Sequence, residues 1–232
     1  MDQKRFAMVT IGQAPRVDLV PDLSTGLPVE VIECGALDGL DDREIEALAP
    51  AEGEARLVTR LRDGREVTIA KTAAQDLVED LLLRLDAQAL DAIVLLCTGQ
   101  FRQLKLRTPL IESQIVVDET VATLAGSVDR LGILLPHAEQ IAEFHKVVAA
   151  SDRLRFSHAS PYRGQRFAEA GRELADCDVV VLHCIGYDEP MRQEVATASG
   201  RPVLLARQIV ASALRDLAQP PTPCPAPRYA QS

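Results

Sequence analysis

Asp91-Ala92-Ile93-Val94-Leu95-Leu96-Cys97-Thr98-Gly99 and Asp178-Val179-Val180-Val181-Leu182-His183-Cys184-Ile185-Gly186 are two versions of one pattern. In each, an Asp opens an apolar run, a Cys follows six residues later and a Gly stands two beyond it. Runs of Val, Ile and Leu without polar alternation are strands covered on both faces, which is the condition of a parallel sheet. A segment of helical spacing precedes each copy. The match therefore predicts two similar α/β lobes, each contributing one strand that ends in Cys-x-Gly.

Working outward, further buried strands are read at Phe6–Ile11, Val29–Ile32, Ile115–Val117, Leu131–Leu135 and Val203–Leu205. Helical spacing marks Gln75–Ala87, Glu139–Ala149, Phe167–Ala175 and Gln208–Leu217. Alternation of the two types predicts an α/β fold with parallel sheets. The expected organisation is a first lobe over residues 1–115 and a second over 116–218. The Gln208–Leu217 helix is free to pack back on the first lobe. Residues 38–70 interrupt the pattern. An acidic helical segment is followed by Arg56–Leu61 and Glu66–Ile69 around Arg62-Asp63-Gly64-Arg65, and an Asp-Gly between β-prone runs signals a hairpin. This reads as an insertion in the first lobe. Residues 219–232 hold five of the 14 prolines and read as a disordered tail.

The 232 residues are 47% hydrophobic and 25% charged, a globular balance with room for a sizeable core. No run of ~18 apolar residues predicts a membrane span. The start, Met1-Asp2-Gln3-Lys4-Arg5, lacks the long apolar region of a signal peptide, so a cytoplasmic location is expected. A net charge of −9 argues against nucleic acid or an anionic membrane as partner. No Cys/His/Asp spacing predicts a metal site, and Gly12, Gly99 and Gly186 build no phosphate loop, so neither metal nor nucleotide cofactor is expected.

Five cysteines without a CxxC pair read as reduced thiols. Ligands of open parallel sheets bind beyond the carboxyl ends of strands. Cys97 and Cys184 both end strands, so if the lobes face each other the two thiols meet across one cleft. Cys34 and Cys177 read as packing residues, and Cys224 lies in the tail. The loop after the first strand opens toward the same cleft. Arg16 is its candidate for bidentate carboxylate binding and Gln13 a candidate donor. Thr98, Gly99, Gly186 and Tyr187 lie in the Cys turns, and His137 occupies the second-lobe counterpart of the Gln13 loop. Gly12, His183 and Asp188 are supporting candidates. A small anionic ligand, a carboxylate, is the expected partner.

Two α/β lobes with one Cys each resemble the Asp/Glu/hydantoin racemase superfamily. Within it, Thr10-Ile11-Gly12-Gln13-Ala14-Pro15-Arg16-Val17-Asp18 resembles the opening signature of the AroM family. Ala49-Pro50 with its hairpin, Leu182-His183-Cys184-Ile185-Gly186-Tyr187 and Pro202-Val203-Leu204-Leu205 fit as well, and the resemblance covers about residues 6–218. It implies an Asp/Glu racemase-like fold with lobes related by a pseudo-twofold. It also implies a cofactor-independent racemase or isomerase in which Cys97 and Cys184 transfer protons at the α-carbon of a small carboxylate. Decarboxylation is the related reaction. Where racemases often carry Asn-Thr and Thr after the two cysteines, this chain has Thr98-Gly99 and Ile185-Gly186, so side-chain donors to the substrate are fewer. The other reading is a carboxylate- or anion-binding protein that has lost turnover. A homodimer is compatible with the resemblance.

Overall fold

The computed structural model describes residues 3–141, 144, 152–162 and 166–218. Most of the helix expected at Glu139–Ala149, the proline-rich tail and Cys224 lie outside the described residues.

The first sheet contains β1 (Lys4–Thr10), β2 (Val29–Gly35), β5 (Ala92–Leu95) and β6 (Leu110–Glu112), ordered β2-β1-β5-β6. The second contains β7 (Leu131–Leu135), β8 (Leu154–His158), β9 (Val179–Leu182) and β10 (Val203–Leu205), ordered β10-β9-β7-β8. All pairings in both sheets are parallel. In each lobe a central strand, β1 or β7, pairs on one side with the strand that follows it in the chain and on the other with the strand that leads to a Cys. β3 (Arg56–Arg60) and β4 (Glu66–Ala70) form a separate antiparallel hairpin, preceded by the short α2 (Asp42–Glu46), which a capping box between Asp41 and Glu44 begins.

The Asp of the repeat has a structural task that is duplicated. The Asp91 amide donates to the Arg5 carbonyl at 2.9 Å, and its carboxylate accepts from the Arg5 amide at 2.7 Å. Asp178 makes the same two bonds with Arg130, both at 2.8 Å. Each Asp thus fixes the register of its strand against the central one. At the other end, the Leu96 amide reaches the Val9 carbonyl and the His183 amide the Leu134 carbonyl. Each Cys follows directly on the last of these ladder bonds.

Period-2 alternation divides the side chains of the strands. Phe6, Met8, Val94, Ile133 and Val181 face a core between the two sheets, into which α1 (Val20–Ser24), α4 (Ser113–Ser127) and α7 (Ala206–Ala218) also pack. Ala7, Val9, Ile93 and Leu95 face outward onto α3 (Lys71–Asp86) and the hairpin. Leu134, Val180 and Leu182 face α5 (Phe167–Glu173) and α6 (Glu189–Ser199). The last helix, α7, packs against α1 of the first lobe as well as α4.

Two segments differ from the sequence expectation. Ile115–Val117 belongs to the start of α4 and is not a strand. The extended residues are Leu110–Glu112 just before it, and of the β-branched run only Val117 reaches full burial. β8 is an additional strand. It lies at a sheet edge, where Leu154-Arg155-Phe156-Ser157-His158 alternates apolar and polar residues. Among the described residues, no helix is long and apolar enough to cross a membrane.

Candidate active site

Both Cys-x-Gly turns open into one cavity of about 140 Å³ at the carboxyl ends of the two sheets. Cys97, Thr98, Gly99 and Arg16 line it from the first lobe, and His137, Tyr162, His183 and Cys184 from the second. The turns are alike in detail. The Gly99 amide donates to the Cys97 sulfur at 3.3 Å and the Gly186 amide to the Cys184 sulfur at 3.4 Å. Thr98 of the first lobe favours the Cys184 thiolate of the second.

Burial dominates both thiols, because a thiolate loses hydration there. It pushes the Cys97 thiol up to about 12, against the opposing effects of the Gly99 amide, Lys71 and Arg16. The Cys184 thiol is raised for the same reason. More groups favour its thiolate: the Gly186 amide, Arg16, Arg207 and the Thr98 hydroxyl.

Arg16 is buried, only 4% exposed, and lines the cavity, but its guanidinium is already engaged. Nε and Nη2 bond the two Asp18 carboxylate oxygens at 2.8 and 2.9 Å, and Nη1 reaches the Thr10 hydroxyl at 3.3 Å. The Tyr162 side chain lies within electrostatic reach of it. Burial alone would raise the Asp18 carboxyl, yet the Arg16 contacts hold it down at about 2. Asp18 also holds Arg60 of the hairpin at 3.2 Å.

Five of the expected site residues serve the scaffold instead of the cavity. Gln13 accepts from the Arg62 amide at 3.1 Å and donates to the Leu37 carbonyl, so its side chain ties the hairpin to the loop. Gly12 lies against that hairpin, and a Cβ there would stand 2.2 Å from the Arg60 carbonyl oxygen. Tyr187 is completely buried, with its hydroxyl donating to the Ala159 carbonyl at 2.8 Å. Asp188 caps α6 by accepting from the Met191 amide. Gly186 stands behind Cys184, where a Cβ would meet the Tyr162 hydroxyl at 2.8 Å.

Other cavity residues carry no signal in the sequence that was used to find the site. Leu57, Val58 and Thr59 of β3 form a wall, so the insertion is part of the site. Asp118 of α4 holds His183 Nε2 at 3.0 Å and accepts from Gln114 at 2.6 Å, while Phe144 packs edge-on against the His183 ring. Tyr162 follows β8, and an alternation search over 154–158 would have placed its loop at the carboxyl edge. Lys71, at the junction of β4 and α3, carries no motif. Arg207 of α7 is buried and donates to the Ile185 and Gly186 carbonyls at 3.3 and 3.1 Å, clamping the Cys184 turn, and to Asp22 of α1 at 2.6 Å. Among the described residues, no group of three or more His, Cys, Asp or Glu side chains is placed to hold a metal ion.

The fold has solved counterparts. Unliganded arylmalonate decarboxylase superposes with a TM-score of 0.54 at 15% identity, covering 95% of this chain and 94% of that one. Allantoin racemase from Klebsiella pneumoniae gives 0.53 at 13% identity, with 93% and 87% covered. The maleate isomerase Iso from Pseudomonas putida S16 gives 0.54 at 12%, with 94% of each chain covered. At these identities the likeness is one of fold. No curated protein matches the chain. The family model described as AroM protein matches residues 6–218. With nearly the whole described structure inside that match, the chain belongs to the AroM family.

Proposed function

We propose that the chain is a cofactor-independent enzyme of the racemase and isomerase type, acting at the α-carbon of a small carboxylate. The observation that carries this reading is the placement of Cys97 and Cys184. They stand at equivalent strand ends of two similar lobes and line one cavity. One thiolate removes the α-proton and the opposite thiol returns a proton to the other face in a racemase. In a decarboxylase, a thiol protonates the carbanion left by CO2. Positioned acid–base groups of this kind contribute about 10²–10⁴-fold each.

The two thiols are not equivalent. Cys184 has the larger set of thiolate-stabilising neighbours, so it is assigned as the base and Cys97 as the acid. Because burial raises the base, its ionised fraction, and turnover with it, keeps growing as pH rises past the ordinary thiol value. Thr98 and Tyr162 are the hydroxyl donors available to a developing enolate oxygen.

The test is a panel of small α-substituted carboxylates and malonates in deuterated water, followed by proton NMR. Exchange or decarboxylation by the wild-type protein should drop at least about 100-fold in both Cys97→Ser and Cys184→Ser. Unchanged exchange in either variant would remove that thiol from the mechanism. A binding protein without turnover is the second reading, favoured by the aliphatic walls Ile11, Leu57, Leu96 and Ile185. It predicts anion-dependent thermal stabilisation, equal in the serine variants, and no exchange.

A further inference from the structure

Charged side chains around the cavity are almost all engaged. Arg16 is held bidentately by Asp18. Asp118 is shared between His183 and Gln114. Lys71 is the exception. It lines the cavity, is half-buried, and among the described residues has neither an ion pair nor a side-chain hydrogen bond.

Its backbone is fixed from two directions. Lys71 is the first residue of α3, directly after β4, and its amide donates to the Ala55 carbonyl at 2.8 Å across the entry to the hairpin. The side chain is thus delivered from a rigid junction, within electrostatic reach of the Cys97 sulfur. An ammonium at the cavity wall with no ion pair of its own is available to an anion that enters, as a charge-assisted donor. The walls beside it, Leu57, Val58 and Leu96, offer no anion of their own.

We infer that Lys71 is the carboxylate anchor of the cavity, the place that the sequence assigns to Arg16, and that it sets the preference of the Cys97 side for anionic ligands over neutral isosteres. Arg16 then acts through Tyr162 and Asp18 as part of the scaffold. The insertion would consequently carry a wall of the site, and the junction directly after it the selecting charge. This inference rests on the carboxylate reading proposed above, yet it concerns binding and not proton transfer.

Iodoacetate and iodoacetamide test it without knowledge of the natural ligand. In both reactions the thiol proton goes to solvent, the Cys97 sulfur forms a bond to the methylene carbon, and iodide leaves with the electron pair. The reagents differ in carrying a carboxylate or a neutral amide. Alkylation of Cys97 is followed by peptide mass mapping over prolonged incubation at about pH 9.5, because burial raises the thiol well above its ordinary value, in wild type, Lys71→Met and Lys71→Arg. Taking the ratio of the two rates cancels any change in thiolate fraction, and the iodoacetamide rate alone reports whether the variant keeps its site intact. The acid-to-amide ratio should fall about tenfold in Lys71→Met, the scale of one charge-assisted hydrogen bond, and stay within about twofold of wild type in Lys71→Arg. An unchanged ratio in Lys71→Met overturns the inference. If the ratio falls but no acid undergoes exchange, the anchor stands and the two-thiol reaction does not. If exchange persists while the ratio is unchanged, the two-thiol reaction stands and the anchor does not.

Discussion

Replacing Asp18 by Asn perturbs the joint between the loop after β1 and the hairpin. Asp18 takes two bonds from buried Arg16 and one from Arg60. Its side chain is 27% exposed, so screening by solvent is moderate. Its carboxyl lies at about 2 in the folded chain against an ordinary 3.8. At ~1.36 kcal/mol per unit, that depression corresponds to about 2.5 kcal/mol of stability at neutral pH. Because the folded value is the lower one, this contribution is complete above the unfolded value and is lost as pH falls through 3.8 toward 2. Asn keeps one acceptor but turns an NH2 toward the guanidinium, leaving Arg16 buried with an uncompensated charge. The expected loss is therefore about 3 kcal/mol at neutral pH, toward the lower end of the range for broken buried pairs. Urea unfolding followed by circular dichroism at about pH 7, 5 and 3 measures it. The gap between wild type and Asp18→Asn should be widest at neutral pH and should narrow at the acid end. A loss below about 1 kcal/mol at neutral pH, or a gap that does not change with pH, would refute the pairing argument.

Two further substitutions separate packing from chemistry. Gly12→Ala puts a Cβ 2.2 Å from the Arg60 carbonyl oxygen and 2.5 Å from the Thr59 hydroxyl. Since backbone must move, a cost of about 2 kcal/mol and a fall in Tm of about 4–8 °C are expected by calorimetry; an unshifted Tm would mean that the hairpin is not seated on the loop. Tyr187→Phe removes the buried bond to Ala159 and should lower stability by about 1–2 kcal/mol. Ligand-dependent stabilisation should survive it, and its loss in a variant of unchanged stability would return Tyr187 to the site.

The repeat around Cys97 and Cys184 is legible because it is written in local chemistry: an Asp that pins register, an uninterrupted apolar strand, and a Gly whose amide serves the thiol. The parallel sheets follow from the same runs. Long-range pairing is not written that way. Gln13, Gly12 and Arg16 look like ligand contacts in a loop of known position. Their partners Arg62, Arg60 and Asp18 show that the loop is also a seat for the hairpin. No periodicity encodes that seat. Tyr162 is hidden for a different reason, since an edge strand with mixed polarity conceals the carboxyl end from which its loop departs. Asp118 is hidden because the β-branched Ile115-Val116-Val117 obscures the start of α4. Tyr187 and Asp188 mislead by sequence proximity alone: the chain passes Cys184 and turns into the core within three residues.

The duplicated and unduplicated parts of the site divide its work. The repeat supplies two matched thiols on two matched turns, and by itself it would give a symmetric cavity suited to proton transfer in either direction. What distinguishes the two sides lies largely outside the repeat. Leu57, Val58, Thr59 and Lys71 stand at the first lobe's insertion, with no counterpart among the described residues of the second lobe. Tyr162 and the Asp118–His183 pair stand on the other side, and Arg207 clamps the Cys184 turn. A racemase working on mirror-image substrates gains from equal thiols, because each must serve as acid in one direction and base in the other. A decarboxylase or a one-way isomerase gains from unequal ones, with one sulfur readily ionised and the other kept protonated. Under the proposed chemistry, the unequal surroundings of Cys97 and Cys184 are what would set the direction of proton delivery. The hairpin that breaks the symmetry of the fold is also a wall of the site, so the ligand meets different surfaces on its two sides.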